Sequence, residues 1–166
     1  EIEKTYYCVI HGQMQPKDGR LDSYIERDLE NKRVYSGSQR SAAARTASTI
    51  YRTLAINGDL SLLQCRLLTG RTHQIRAQFA QAGHPLLGDG KYGKNALDRR
   101  YGRKYQALHS FKVSFSFPTD AGILNYLRGK SFVSAMPDFV EQYFENWSKD
   151  ENGRKTEHLK EKSKKK

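Results

Sequence analysis

Residues 46–68 constrain this chain more than any other stretch. A β-branched run over 46–56 (TASTIYRTLAI) meets Asn57-Gly58-Asp59, and an apolar run over 60–68 (LSLLQCRLL) follows. Asn and Gly tolerate positive φ, so the stretch predicts a two-strand hairpin. Other strands are read around it. Residues 5–10 (TYYCVI) are β-rich and stop at His11-Gly12, and 13–20 are turn-like with Pro16, Asp18 and Gly19. Residues 21–27 alternate loosely and are expected to pair back on the first strand. Residues 36–44 are small and polar, which predicts a loop. Over 107–117, Phe111, Val113, Phe115 and Phe117 point one way and Ser110, Lys112, Ser114 and Ser116 the other, until Pro118 ends the run. Residues 123–127 and 131–133 flank Arg128-Gly129-Lys130 as a second candidate hairpin.

Two helices are expected. Over 72–82, Ile75, Phe79 and Ala82 recur at helical spacing, Gly83 suits the C′ position, and Pro85 prevents continuation. Pro137 suits the first turn of a second helix. Phe139, Val140, Tyr143, Phe144 and Trp147 form its apolar stripe, which reads as core packing. Together these elements predict an α+β fold with a mixed, mainly antiparallel sheet and a few helices. Residues 1–148 are read as one domain and 149–166 as a basic, disordered tail.

Charge indicates the partner. The 166-residue chain carries a formal +11. The tail (KDENGRKTEHLKEKSKKK) accounts for +4 of this and the body keeps +7. A basic tail is weak evidence, but a basic body points to a polyanion, of which nucleic acid is the commonest. No apolar run approaches the roughly 18 residues of a spanning helix, and no CxxC or His-rich spacing suggests a metal. Cys8 and Cys65 lie in apolar strand-like runs and are expected as buried free thiols, which suits a reducing cytoplasm. No P-loop, GxSxG or HExxH motif appears, so nothing supports nucleotide hydrolysis, serine catalysis or metal hydrolysis. The sequence sets no oligomeric state.

Two segments can carry chemistry. In Leu68-Thr69-Gly70-Arg71-Thr72-His73-Gln74-Ile75-Arg76, a strand runs into a helix start that bears two arginines. Free N–H groups there attract anions, and Arg is disfavoured beside the positive end of the dipole unless an anion meets it. A phosphate or a carboxylate is therefore expected near Arg71. The second segment, 89–105 (DGKYGKNALDRRYGRKY), interleaves basic residues with Tyr92, Tyr101 and Tyr105. Basic groups track phosphates and aromatic faces stack on unpaired bases, so Lys91, Tyr92, Arg99, Arg100 and Arg103 are candidate RNA contacts. An ordinary charged loop is the alternative.

At residues 67–93, LLTGRTHQIRAQFAQAGHPLLGDGKYG resembles the signature of the RluA/RluD-type pseudouridine synthases, L-x-TGRTHQIR-x-H followed by GHP-x-x-GD-x-x-YG. Lys4-Thr5-Tyr6 resembles that family's K-x-Y strand, and Ala107-Leu108-His109-Ser110 its L-H-A stretch. The resemblance covers roughly residues 4–145. It implies an enzyme that isomerises uridine to pseudouridine within structured RNA, ribosomal RNA in preference to tRNA, without cofactor or metal. The target nucleotide is flipped into a pocket. By the same resemblance, Tyr6 stacks on the base and takes part in proton removal, and Arg76 pairs with a catalytic Asp. Arg71, Thr72, His73, Gln74, Ile75 and Leu108 fall at the substrate pocket.

The departures are as informative. The family nucleophile lies in H-R-L-D-x-x-T-S-G, before the K-x-Y strand, and no such string occurs in these 166 residues. Asp22, in Gly19-Arg20-Leu21-Asp22, follows Tyr6 instead of preceding it and lacks the T-S-G continuation. The family's second His is Gln78 here. The expectation is therefore the C-terminal part of a catalytic domain, inactive alone. A non-catalytic RNA-binding module or pseudoenzyme is the alternative.

Overall fold

The computed structural model describes residues 1–39, 41–93 and 95–148. The expected tail lies outside them. Among the described residues, seven strands form one sheet: β1 (Ile2–His11), β2 (Asp18–Asp28), β3 (Arg33–Gly37), β4 (Arg45–Asn57), β5 (Leu60–Leu67), β6 (Leu108–Phe115) and β7 (Ser131–Val133). Their order is β3-β2-β4-β5-β1-β6-β7, and neighbours pair antiparallel. The predicted α+β class and the β4–β5 hairpin are both present. Gly58 takes φ 57° at its turn, while Asn57 stays in the strand and donates Nδ2–H to the Tyr143 carbonyl at 2.8 Å. Glycine at the first central position of a two-residue turn is the II′ arrangement, which matches strand twist.

β1 lies between β5 and β6, and its last five residues, Tyr7 to His11, are buried. Alternation sends its side chains into two cores. Tyr7 and Val9 join Leu60, Leu62, Leu87, Phe139, Val140 and Phe144. Cys8 and Ile10 join Tyr51, Leu63, Cys65, Ile75, Phe79 and Leu86. Helix α1 (Gln74–Gln81) contributes to the second core. Residues of α3 (Asp138–Tyr143) cover the first, after the short α2 (Asn95–Asp98) and a 3₁₀ turn over Arg99–Tyr101. Cys8 and Cys65 are free and fully buried, with Sγ atoms 3.8 Å apart. The Cys8 contact and burial push the Cys65 thiol well above its usual range.

Four expectations change. Residues 21–27 pair with β4 and β3, because both edges of β1 are taken by β5 and β6. Strand β3 occupies 33–37, partly where a loop was expected, and anchors through buried Val34. Residues 122–127 form a 3₁₀ turn: Asp120 Oδ1 accepts the Gly122 N–H at 2.9 Å and also bonds the Asn125 amide. Such local side-chain bonds compete with a strand. Finally, the last helix breaks at Phe144 (φ −136°, ψ 44°), after which α4 (Glu145–Ser148) resumes. The break leaves Phe144 buried and Trp147 edge-on to Tyr7, 6.2 Å between centroids.

Candidate active site

The cleft begins where β1 and β6 lose register. Thr5 pairs with Lys112 but Tyr6 with Ser110, so Phe111 is an extra residue on β6. Bulges of this kind re-aim side chains, and they recur beside functional sites. Tyr6 lines a cleft of about 320 Å³ together with Leu67, Ile75, Arg76 and Leu108. Arg71, His73, Gln74 and Gln106 complete its wall. Tyr6, Arg76 and Leu108 come from β1, α1 and β6, so their convergence is a product of the fold. Thr72, the remaining residue expected at the pocket, is exposed and does not line it. Among the described residues, larger hollows lie elsewhere, such as a polar groove of about 570 Å³ beside Asn31, Arg33, Tyr35, Gly90 and Lys91.

Two buried amides tie the strand-to-helix loop and α1 to the sheet. Gln74 Oε1 accepts from the Thr69 hydroxyl at 2.8 Å and the Arg71 N–H at 3.0 Å. Its Nε2 donates to the Ser48 carbonyl at 3.0 Å and to Thr49 Oγ1 at 2.9 Å. Thr49 passes its own hydroxyl proton to Gln78 Oε1 at 2.6 Å, and Gln78 Nε2 reaches the Leu21 and Ala47 carbonyls and Ser23 Oγ. Gln78, where the family pattern has a His, is thus a structural tie. Gln74 is 2 % exposed with its amide engaged by protein, so it positions the loop instead of offering free donors to substrate. The loop is sharp enough to put His73 at φ 52°, immediately before α1.

Arg76 has a partner that the sequence reading did not assign. Its Nε and Nη2 donate to the two carboxylate oxygens of Asp89 at 2.7 and 2.8 Å. Asp89 is 0 % exposed. Its Oδ1 also accepts the backbone N–H groups of Lys91 (3.0 Å) and Tyr92 (3.1 Å). Burial alone would raise its pKa, yet the Arg76 and backbone hydrogen bonds hold it below the usual carboxylate value of 3.8. The bond to Asp89 also raises the Arg76 pKa. The carboxylate at this helix start is Asp89, and it meets Arg76 instead of Arg71, where an anion was expected. Arg71 is exposed and donates Nε–H to the Thr46 carbonyl at 3.0 Å.

Tyr92 closes the arrangement from above. Its ring centroid lies 5.1 Å from the Arg76 guanidinium carbon and 5.7 Å from that of Arg33. Its hydroxyl accepts the Val34 N–H and contacts His73 Nδ1, each at 3.0 Å. Burial, and then the Arg76 and Lys91 charges, lower the His73 pKa and favour the neutral ring. A neutral His73 can accept at Nδ1 from Tyr92 and keep its proton on Nε2.

The basic loop is more constrained than its sequence suggests. Arg103 stacks over Phe139 (5.2 Å) and bonds both Asp138 oxygens, at 3.2 and 3.3 Å. Arg100 pairs with Asp59 at 2.6 Å, and Lys91 donates to the Lys32 carbonyl. Tyr92 is packed as described, while Arg99 is exposed and lines a separate hollow with Lys104. Asp22 lies on β2 with its side chain half exposed, its pKa lowered by hydrogen bonds from Ser48 and Arg20. It lines a different hollow from Tyr6. Among the described residues, no Asp or Glu lines the Tyr6 cleft and no group of three His, Cys, Asp or Glu side chains could hold a metal ion. None of their helices is long and apolar enough to cross a membrane.

The RNA pseudouridylate synthase family profile matches residues 1–81. The chain belongs to the RNA pseudouridine synthase family. YhcT, an uncharacterized RNA pseudouridine synthase of Bacillus subtilis, is 39 % identical over 150 residues, covering 86 % of this chain and 45 % of that protein. Ribosomal large subunit pseudouridine synthase D of Borreliella burgdorferi is 32 % identical, covering 88 % of this chain and 41 % of its own length. This chain thus spans less than half the length of these relatives. Human RNA pseudouridylate synthase domain containing 1 superposes with a TM-score of 0.63 at 26 % identity, covering 82 % of this chain and 55 % of that one.

Proposed function

We propose that this chain forms the uridine-binding cleft of an RNA pseudouridine synthase acting on structured RNA, ribosomal RNA in preference to tRNA, in a cytoplasmic setting. The observation that carries the reading is the convergence of Tyr6, Ile75, Arg76 and Leu108 on one cleft. A lining of Leu67, Ile75 and Leu108 with the Tyr6 ring and the Arg71 and Arg76 cations suits a flipped pyrimidine and its phosphate. The N1–C1′ bond of uridine breaks, the uracil turns, and C5 bonds C1′ while the C5 proton leaves and N1 regains one. Tyr6 stacks on the base and assists that proton removal. Arg76 orients the Asp carboxylate that starts the reaction, and no metal or cofactor takes part. That carboxylate is not among the residues lining the cleft, and the reading assigns it to the remainder of the relatives' length. The ribosomal preference is supported by a relative named as a large subunit synthase.

The absence of a carboxylate from the described lining also favours a second reading, a non-catalytic RNA-binding module. Tritium release from RNA labelled at uridine C5 separates the two. A protein carrying this chain together with an H-R-L-D-x-x-T-S-G segment should release tritium, and Arg76→Ala should abolish release. RNA binding with no release by that protein would leave the binding module.

A further inference from the structure

We propose that Asp89 is a positioning residue: it locks the Nε and Nη2 edge of Arg76 so that the Nη1 edge is presented to the nucleophilic carboxylate. The inference rests on the synthase reading given above. A guanidinium has two edges that suit a carboxylate and two faces that accept an aromatic ring. Asp89 takes one edge with a bidentate pair at 2.7 and 2.8 Å, and the Tyr92 ring lies against the guanidinium at 5.1 Å. The Nη1 edge is left for a further acceptor, on a side chain that lines the cleft and is only 12 % exposed.

Asp89 itself cannot be the nucleophile. It has no exposed surface, and its oxygens already accept four hydrogen bonds. The turn that carries it is built for one geometry. The Gly93 N–H bonds the Asp89 carbonyl at 2.7 Å, and a Cβ on Gly93 would lie 2.5 Å from that oxygen. Gly88 has φ 74°, and a Cβ there would lie 2.3 Å from the Tyr105 carbonyl oxygen. The backbone on both sides of Asp89 is therefore fixed, and the carboxylate with it. Asp89 also sets the charge at the site. It neutralises Arg76, so an incoming carboxylate meets a hydrogen-bonding edge backed by an anion instead of an uncompensated cation.

Asp89→Asn keeps an acceptor at this position and removes the charge. In the synthase containing this chain, steady-state tritium release should show kcat lowered tenfold or more, with KM for RNA changed less than about twofold. The acid limb of the kcat profile should move to lower pH, because the nucleophile then faces an unneutralised Arg76. A purely structural role would lower kcat only in proportion to the folded fraction and leave the limb in place. An unmoved limb, an unchanged kcat, or a loss confined to KM would overturn the proposal; the last would assign the Nη1 edge to an RNA phosphate. If the wild-type protein releases no tritium, the synthase reading fails, and the Asp89 clamp is then judged by the Arg76 Nε–H resonance in ¹⁵N NMR. That resonance should be distinct in the wild type and shift in Asp89→Asn. An unshifted resonance overturns the clamp as well.

Discussion

At the scale of single residues, the cleft depends on buried polar groups whose hydrogen bonds are made within the protein. Gln74 satisfies two donors of the loop after β5 and two acceptors of β4, so its removal strands them. Gln74→Ala should cost about 2 kcal/mol or more, since each unsatisfied buried group costs about 1–3 kcal/mol. Urea unfolding would measure it, and a change under about 0.5 kcal/mol, the scale of ordinary surface substitutions, would contradict the assignment. Asp89 adds a pH dependence. Its folded pKa lies below the ordinary 3.8, so its stabilisation is present above that value and is lost as pH falls through the folded pKa. Asp89→Ala should therefore destabilise by about 3–5 kcal/mol at neutral pH, the usual cost of breaking a buried pair. The gap from wild type should narrow in acid below the folded pKa, and denaturation series at pH 7 and in that acid range test this.

At the scale of elements, what could be read from sequence was what is encoded locally. The β4–β5 hairpin and α1 each carry their own period and stop signal, and both are found near the expected limits. Gly58 sits at φ 57°, a region that opposes side chains. Gly58→Ala should cost about 1–2 kcal/mol by thermal melting, and a neutral result would relocate the turn. The partner of β2 was not legible, because it depends on which strands already occupy β1. Nor was β3, whose five residues include only one buried apolar side chain. In the site, Tyr6, Arg76 and Leu108 were legible through the family string. Asp89 stood in that string too, as the acidic residue of GHPLLGD, but no local rule ties it to a guanidinium thirteen residues earlier. The fates of Arg100 and Arg103 were hidden for the same reason: Asp59 and Asp138 approach them only in the folded chain.

For the molecule as a whole, the distribution of positive charge matters more than its total. Arg103 is largely covered and tied to α3, whereas Arg99 is exposed. Charge reversal at the two should therefore separate binding from folding. Arg99→Glu should flatten the salt dependence of RNA binding with no change in melting temperature, because fewer counterions are displaced. Arg103→Glu should lower the melting temperature, since it places an anion against Asp138 over the Phe139 ring. Equal thermal effects of the two would return both to a solvated surface loop. The Arg33 and Tyr35 groove next to Lys91 extends the same face, and it escaped the sequence reading with β3.

The central claim is that these residues build the cleft of a pseudouridine synthase and that the nucleophile comes from elsewhere. The most direct measurement is tritium release from C5-labelled uridine RNA by the 166-residue chain alone, with Asp22→Asn beside it and with the H-R-L-D-x-x-T-S-G segment added. The account predicts no release from the isolated chain, release once the segment is present, and no effect of Asp22→Asn in that active protein. Turnover by the isolated chain, abolished by Asp22→Asn, would contradict it and make Asp22 the nucleophile.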